Sequence, residues 1–169
     1  SGYLMSTQWS GPYEVSEAGK IVTATLYNYQ PTPTEGRKID QNGNAVSGAW
    51  VGLFATRAAA EAAQSNLLTD KNYYAGIVAD SSLWAENGIV SAAKSDSSGK
   101  LAFLELAPNS DYYALELVGV SGYVHNTEIY EVSSLKQDQN WILVNQGTTD
   151  PFRLPNESYG QIALKKVVS

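Results

Sequence analysis

The 169-residue chain contains no cysteine, one methionine, one histidine and three phenylalanines. Without cysteine it forms no disulfide, holds no thiolate-bound metal and has no thiol nucleophile. A Ser-His-Asp triad or a multi-histidine metal centre would need the single histidine, His125, at its heart. His125 instead sits in the polar stretch YVHNTE and reads as a surface loop. Charge is also sparse: 17% of residues are charged, and the net charge is -6. The eleven Lys and Arg are scattered, whereas phosphate binding needs them clustered, so nucleic acid is an improbable partner. No apolar run approaches the ~20 residues of a membrane span, and no signal peptide is visible. The chain reads as a piece excised from a longer precursor.

What is abundant points to β-structure. Hydrophobic residues make up 43%, enough for a core, alongside 14 Gly, 11 Tyr and many Ser, Thr and Asn. The length suits one domain plus some extra strands. Residues 20–29 (KIVTATLYNY) alternate as a strand does, and 31–36 read as a linker because two prolines oppose regular pairing. Residues 1–30 are either the tail of a preceding unit or extra strands of the same sandwich; residues 37–169 form the main domain. A faint echo, SGY then PYEV near the start and SGY then IYEV from Ser121, is either chance or the mark of a preceding unit of the same kind.

From Lys38 the text is strand and turn. Asn42-Gly43 signals a tight turn, since both residues tolerate positive φ. The one convincing helix is 56–68, Ala-rich and capped by Thr56. Residues 73–93 read ambiguously. KLAFLEL, YYALELV, IYEV, WILVN, PFRLPN and GQIALKKV then follow as short strands separated by Gly, Asn and Pro turns. Spacing of this kind predicts a β-sandwich.

One residue breaks the apolar text. Glu116 lies between Leu115 and Leu117, and burying an unpaired carboxylate costs several kcal/mol or more. A buried Glu116 must pair or carry a proton. Strand parity puts it on one face with Tyr112 and Ala114. The same parity puts Asn156 on one face with Phe152 and Leu154, and Pro155 on the other, as befits an edge or a strand end.

Lys38-x-Asp40, Gly48-Ala49 before a strand, Asp96-x-x-Gly99 before another, Leu106-Ala107-Pro108, then Tyr113, Glu116 and Gly122-Tyr123 occur in this order. Each is weak alone; the series over 38–156 resembles the CnaB-type domains of Gram-positive pilins and adhesins, also called SpaA-like or prealbumin-like. The resemblance implies an all-β, Ig-like or prealbumin-like sandwich with a short helical insertion around 56–68. The tail, PFRLPNESYGQIALKKV, resembles the join between consecutive repeats. There Asn156 would close this domain, and Lys166 would stand where the next domain's reactive lysine lies. Val168 replaces the acid expected beyond it, so Lys166 could equally belong to the last strand of this domain.

Many CnaB-type domains form an intramolecular isopeptide bond between a Lys on the first strand and an Asn or Asp on the last. A buried acid shuttles the protons. The resemblance assigns Lys38 as nucleophile, Asn156 as electrophile and Glu116 as the acid; Asn145, ending WILVN, is the rival electrophile. Such chemistry is physically reasonable, because burial among aromatic side chains lowers a lysine pKa and raises that of a carboxylic acid, by up to ~3–5 units. A neutral amine could then attack while the protonated acid stabilises the developing charge. The plainer readings are a solvated Lys38, a turn residue at Asn156, and an ion pair of Glu116 with Lys38 or Arg153.

The function so implied is structural: a stalk or presentation domain of a pilin or adhesin, at the cell surface and anchored through a parent chain. Its partners would be neighbouring domains of that protein or other pilus subunits. Two alternatives stand beside it. One is an adhesin module that binds a glycan or host matrix protein through 56–93 and exposed Trp50 or Trp84; the other is an accessory domain of a secreted enzyme. No turnover enzyme, cofactor or metal is expected. Asp40-Gln-Asn42-Gly-Asn44 superficially resembles a calcium loop but lacks the bidentate acid, and is better read as a hairpin turn.

Overall fold

The computed structural model describes residues 33–104, 106–160 and 167–168. The strand read at 20–29, the N-terminal echo and Lys166 lie outside the described residues. Strand β1, Thr34–Asp40, alternates with period two: Thr34, Gly36, Lys38 and Asp40 are buried and the residues between them are less so. Residues 34–36, expected to belong to a linker, instead open β1. Pro31 and Pro33 both precede Thr34, so nothing prevents Thr34 from pairing with Phe103 on one side and Trp141 on the other.

The remaining elements are β2 (Trp50–Phe54), α1 (Arg57–Thr69), β3 (Ile89–Lys94), β4 (Lys100–Phe103), β5 (Asp111–Val118), β6 (Tyr130–Gln137), β7 (Asn140–Asn145) and β8 (Arg153–Asn156). The ambiguous stretch resolves into turns and two short 3-10 segments, Ser81–Leu83 and Ala85–Asn87, ahead of β3. The strand expected at 100–106 stops at Phe103. One curled sheet runs in the order β3-β2-β5-β6-β7-β1-β4, and β8 pairs in parallel with the second half of β1. The expected all-β sandwich with a helical insertion is the architecture found.

The curl gives β5 two buried faces. Tyr112 and Ala114 look into the sheet's interior with Val51, Leu53, Leu101, Phe103, Leu143 and Leu154. Leu115 and Leu117 look outward into a second core closed by α1. That helix starts where Thr56 Oγ1 accepts from the Ala59 N–H at 3.2 Å. Its Ala60, Ala63 and Leu67 recur on one face and are buried against Phe54, Leu115 and Leu117. Among the described residues no helix is long and apolar enough to cross a membrane.

Candidate functional site: a buried lysine, glutamate and asparagine

The parallel register of β1 and β8 sets Lys38 opposite Leu154 and Asp40 opposite Asn156. Lys38 and Asn156 both point inward, as strand parity requires. Lys38 Nζ donates to the Leu154 carbonyl at 3.1 Å. From the opposite wall β5 supplies Glu116, whose Oε2 lies 3.0 Å from Lys38 Nζ. That contact is close but not aligned as a hydrogen bond, which leaves Oε2 without a hydrogen-bonded partner. The other oxygen, Oε1, accepts from Asn156 Nδ2 at 3.1 Å and from the Asn126 N–H at 3.3 Å. Asn156 Nδ2 also donates to the Val124 carbonyl at 2.9 Å, while its Oδ1 has no protein partner. Exposure of the three side-chain-bearing residues is 0% for Lys38, 0% for Glu116 and 1% for Asn156.

Two glycines make this packing possible. A Cβ on Gly119 would stand 3.2 Å from Glu116 Oε1 and 3.4 Å from the His125 ring, so a side chain there would crowd the carboxylate. Gly99 has φ +75°, and a Cβ there would meet the Lys38 carbonyl at 2.3 Å. The turn holding Gly99 is wound around Asp96, whose Oδ1 accepts from the N–H groups of Ser98 and Lys100 at 2.8 and 2.9 Å. The Asp-x-x-Gly motif thus builds the turn that lets β1 pass close to β4.

Electrostatics at the site are opposed. Burial pushes the Lys38 amine below its ordinary pKa, because the charged form loses its hydration; the neighbouring Glu116 carboxylate pulls the other way. Desolvation is the larger influence, so the amine is easier to deprotonate than a surface lysine. Chemically the cluster sets an activated amine and a carboxamide beside one carboxyl group that touches both.

The other sequence candidates fall elsewhere. Asn145 ends β7 exposed to solvent and makes no contact with Lys38 or Glu116. Arg153 is exposed on β8, and the cation beside Glu116 is Lys38. The Asp40 loop is a turn, with Oδ1 accepting from the N–H groups of Asn42 and Asn44. His125 is a correction: it is no free surface residue. Its Nε2 donates to the Glu116 carbonyl at 2.9 Å and lies 3.7 Å from Glu116 Oε1, with the side chain 20% exposed. Trp50 and Trp84 are a second correction, being half-buried against the helix-side core; the Trp84 indole N–H donates to the Val78 carbonyl. The sequence reading missed Asn126 and the Val124 carbonyl entirely. Gly119, three residues beyond Glu116, was the one signal in the text that the acid needed room.

A curled β-sandwich whose first and last described strands are joined through a buried Lys–Glu–Asn cluster is a definite class of domain. The chain belongs to the family of SpaA domains with the prealbumin-like fold, whose profile matches residues 33–148. Lys38 and Glu116 fall within the match and Asn156 beyond it. A comparison with curated proteins returned no match. Among solved structures the chain is similar to the major pilin subunit BcpA of Bacillus cereus, at 17% identity and TM-score 0.42, over 75% of this chain and 29% of that one. It is also similar to the full-length major pilin RrgB of Streptococcus pneumoniae, at 14% identity and TM-score 0.46, over 94% and 37%. The T6 backbone pilin of serotype M6 Streptococcus pyogenes gives 13% identity and TM-score 0.45, over 83% and 38%. The chain therefore spans well under half the length of these proteins.

Proposed function

We propose that this domain is a structural unit of a Gram-positive surface protein, a stalk or presentation domain of a pilin or adhesin, and that it cross-links itself once. The observation that carries this reading is the full burial of Lys38 and Asn156 against the two oxygens of one buried carboxyl group, that of Glu116. Lys38 Nζ passes a proton to Glu116 and attacks Asn156 Cγ. The Nζ–Cγ bond forms, the Cγ–Nδ2 bond breaks, and Glu116 hands the amine's proton to the departing ammonia. Contact within a rigid core replaces a bimolecular encounter, which is the main source of acceleration. No turnover follows, because the product is the fold itself.

A Lys38–Asn156 bond would tie β1 to β8 covalently, so tension or proteolysis would have to break a covalent link before these strands part. That suits a domain strung between neighbours in a parent chain or among pilus subunits at the cell surface. The alternative of a tryptophan-based ligand platform gains no support from Trp50 and Trp84, both half-buried. Intact-mass measurement tests the chemistry. The folded chain should weigh about 17 Da less than its sequence, the mass of one ammonia, and Lys38→Ala should restore the full mass. A folded parent chain of full mass would overturn the cross-link.

A further inference from the structure

The nitrogen of the Asn156 carboxamide lies between the Val124 carbonyl, which can only accept, and the Glu116 carboxyl group. Nδ2 donates to the Val124 carbonyl at 2.9 Å and to Glu116 Oε1 at 3.1 Å. A carboxamide nitrogen carries two hydrogens and satisfies both; an aspartate oxygen in its place would carry none. In a buried position, an oxygen facing the Val124 carbonyl leaves both groups without a hydrogen to share.

The Val124 carbonyl is held there by a loop with no regular strand. The Val124 N–H donates to the Glu157 carbonyl at 2.7 Å. Two residues on, the Asn126 side chain donates to the Pro155 carbonyl at 2.7 Å and to the Tyr130 hydroxyl at 2.8 Å. Its N–H meets Glu116 Oε1. Asn126 therefore fastens the loop to β8, to β6 and to the acid at once. The loop's outer side faces an open cavity of about 370 Å³, lined by Gln41, Val124, His125, Asn126 and Glu157 among others.

We infer that the Val124–Asn126 loop makes the site selective for asparagine over aspartate at position 156. The Val124 carbonyl is the selectivity element and Asn126 the positioning residue. The inference rests on the cross-link reading. These two contacts hold Nδ2, the nitrogen expelled when the Lys38 Nζ–Asn156 Cγ bond forms, toward the loop. Nδ2 keeps its two hydrogens and gains a third from the Lys38 amine by way of Glu116. Ammonia then leaves past the loop into the outer cavity. With aspartate the same step would expel water, and until Glu116 protonates it the leaving oxygen faces the Val124 carbonyl with no hydrogen to offer.

The test uses the full chain made by cell-free synthesis, quenched in acid at intervals and weighed intact. The parent should lose about 17 Da; Asn156→Asp should lose about 18 Da at least tenfold more slowly. Asn126→Ala should slow the asparagine chain and narrow its lead over the aspartate chain, whereas a merely structural loss would slow both alike. An aspartate chain that reacts as fast as the parent overturns the inference. A second comparison does not depend on the reaction. In a Lys38→Met background, with Glu116→Gln added should the single change not fold, Asn156→Asp should unfold at a lower temperature near pH 7. The gap should close near pH 4, where the carboxyl gains a proton to donate. Equal stability of the Asn and Asp chains at both pH values overturns the selectivity. A parent of full mass would sink the cross-link while leaving this second comparison to decide the preference.

Discussion

Leu115 and Glu116 are adjacent on β5, and each has no exposed surface, yet they serve opposite halves of the molecule. Leu115 faces the core beneath α1, where Phe54, Ala60, Ala63, Leu67 and Leu117 meet through apolar contact alone. Glu116 faces the sheet's interior at a point where an amine, a carboxamide and main-chain groups replace hydrocarbon. The helix side gains stability from area removed from water, which is non-directional and tolerant of small rearrangement. The cluster side depends on a few directed contacts whose loss strands a partner in a place with no solvent. Equal burial therefore does not mean equal sensitivity, either in size or in kind.

Glu116→Ala is expected to break the molecule hardest. It leaves Lys38 buried without its counter-charge and Asn156 without one acceptor. Removing one partner of a buried pair costs about 3–5 kcal/mol. Urea unfolding should show that loss, and intact mass should show the full sequence weight. Leu115→Ala is the counterpart on the other face. It should cost about 3 kcal/mol through a cavity, with any mass deficit kept in full. If Leu115→Ala also abolished the deficit, the two faces would not be independent, and the comparison would fail.

The same contrast explains what could be read from the text. Strand parity gave Glu116 and Asn156 each an inward face, because period-two alternation decides which way a strand residue points; Lys38 was placed by the family resemblance alone, since a lysine at a strand start otherwise reads as solvated. Helix α1 was legible because Thr56 and an alanine-rich run act locally. His125 was not. Its polar neighbours Asn126 and Thr127 suggest a solvated loop, but Asn126 is bonded to Tyr130 and Pro155, and the Thr127 carbonyl accepts from Gln64. Of those partners, Pro155 and Gln64 are remote in sequence. The Val124 carbonyl was illegible for a simpler reason: every residue has one, and only the fold aims it. Trp50 and Trp84 looked exposed because nothing local announces that they pack against the helix-side core.

Thr56→Ala probes the helix side more gently. The substitution removes the oxygen that accepts from the Ala59 N–H, and loss of such a cap costs about 1 kcal/mol. The effect should appear as a small fall in thermal midpoint with the mass unchanged. Because α1 packs on the outward face of β5, opposite Glu116, the Lys–Glu–Asn cluster should not register the loss of this cap.

The smallest expected effect lies at the turn beneath Lys38, and its sign follows from hydrogen bonding. Bonds from the Ser98 side chain, and then from the N–H groups of Lys100 and Ser98, hold the Asp96 carboxyl below its ordinary pKa. A carboxyl whose folded pKa is depressed binds its proton more weakly in the folded chain than in the unfolded one. Its contribution is therefore fully present above the unfolded value, about 3.9, and is lost as pH falls through the lower folded value. Asp96→Ala should accordingly lower the thermal midpoint at neutral pH, and the difference from the parent should shrink as the solution is acidified below the ordinary aspartate range. Since this turn brings Gly99 against the Lys38 carbonyl, the variant also asks whether the cluster side feels its own scaffold. A difference that persisted unchanged into strong acid would mean that the Asp96 side chain supports the turn through something other than its charge.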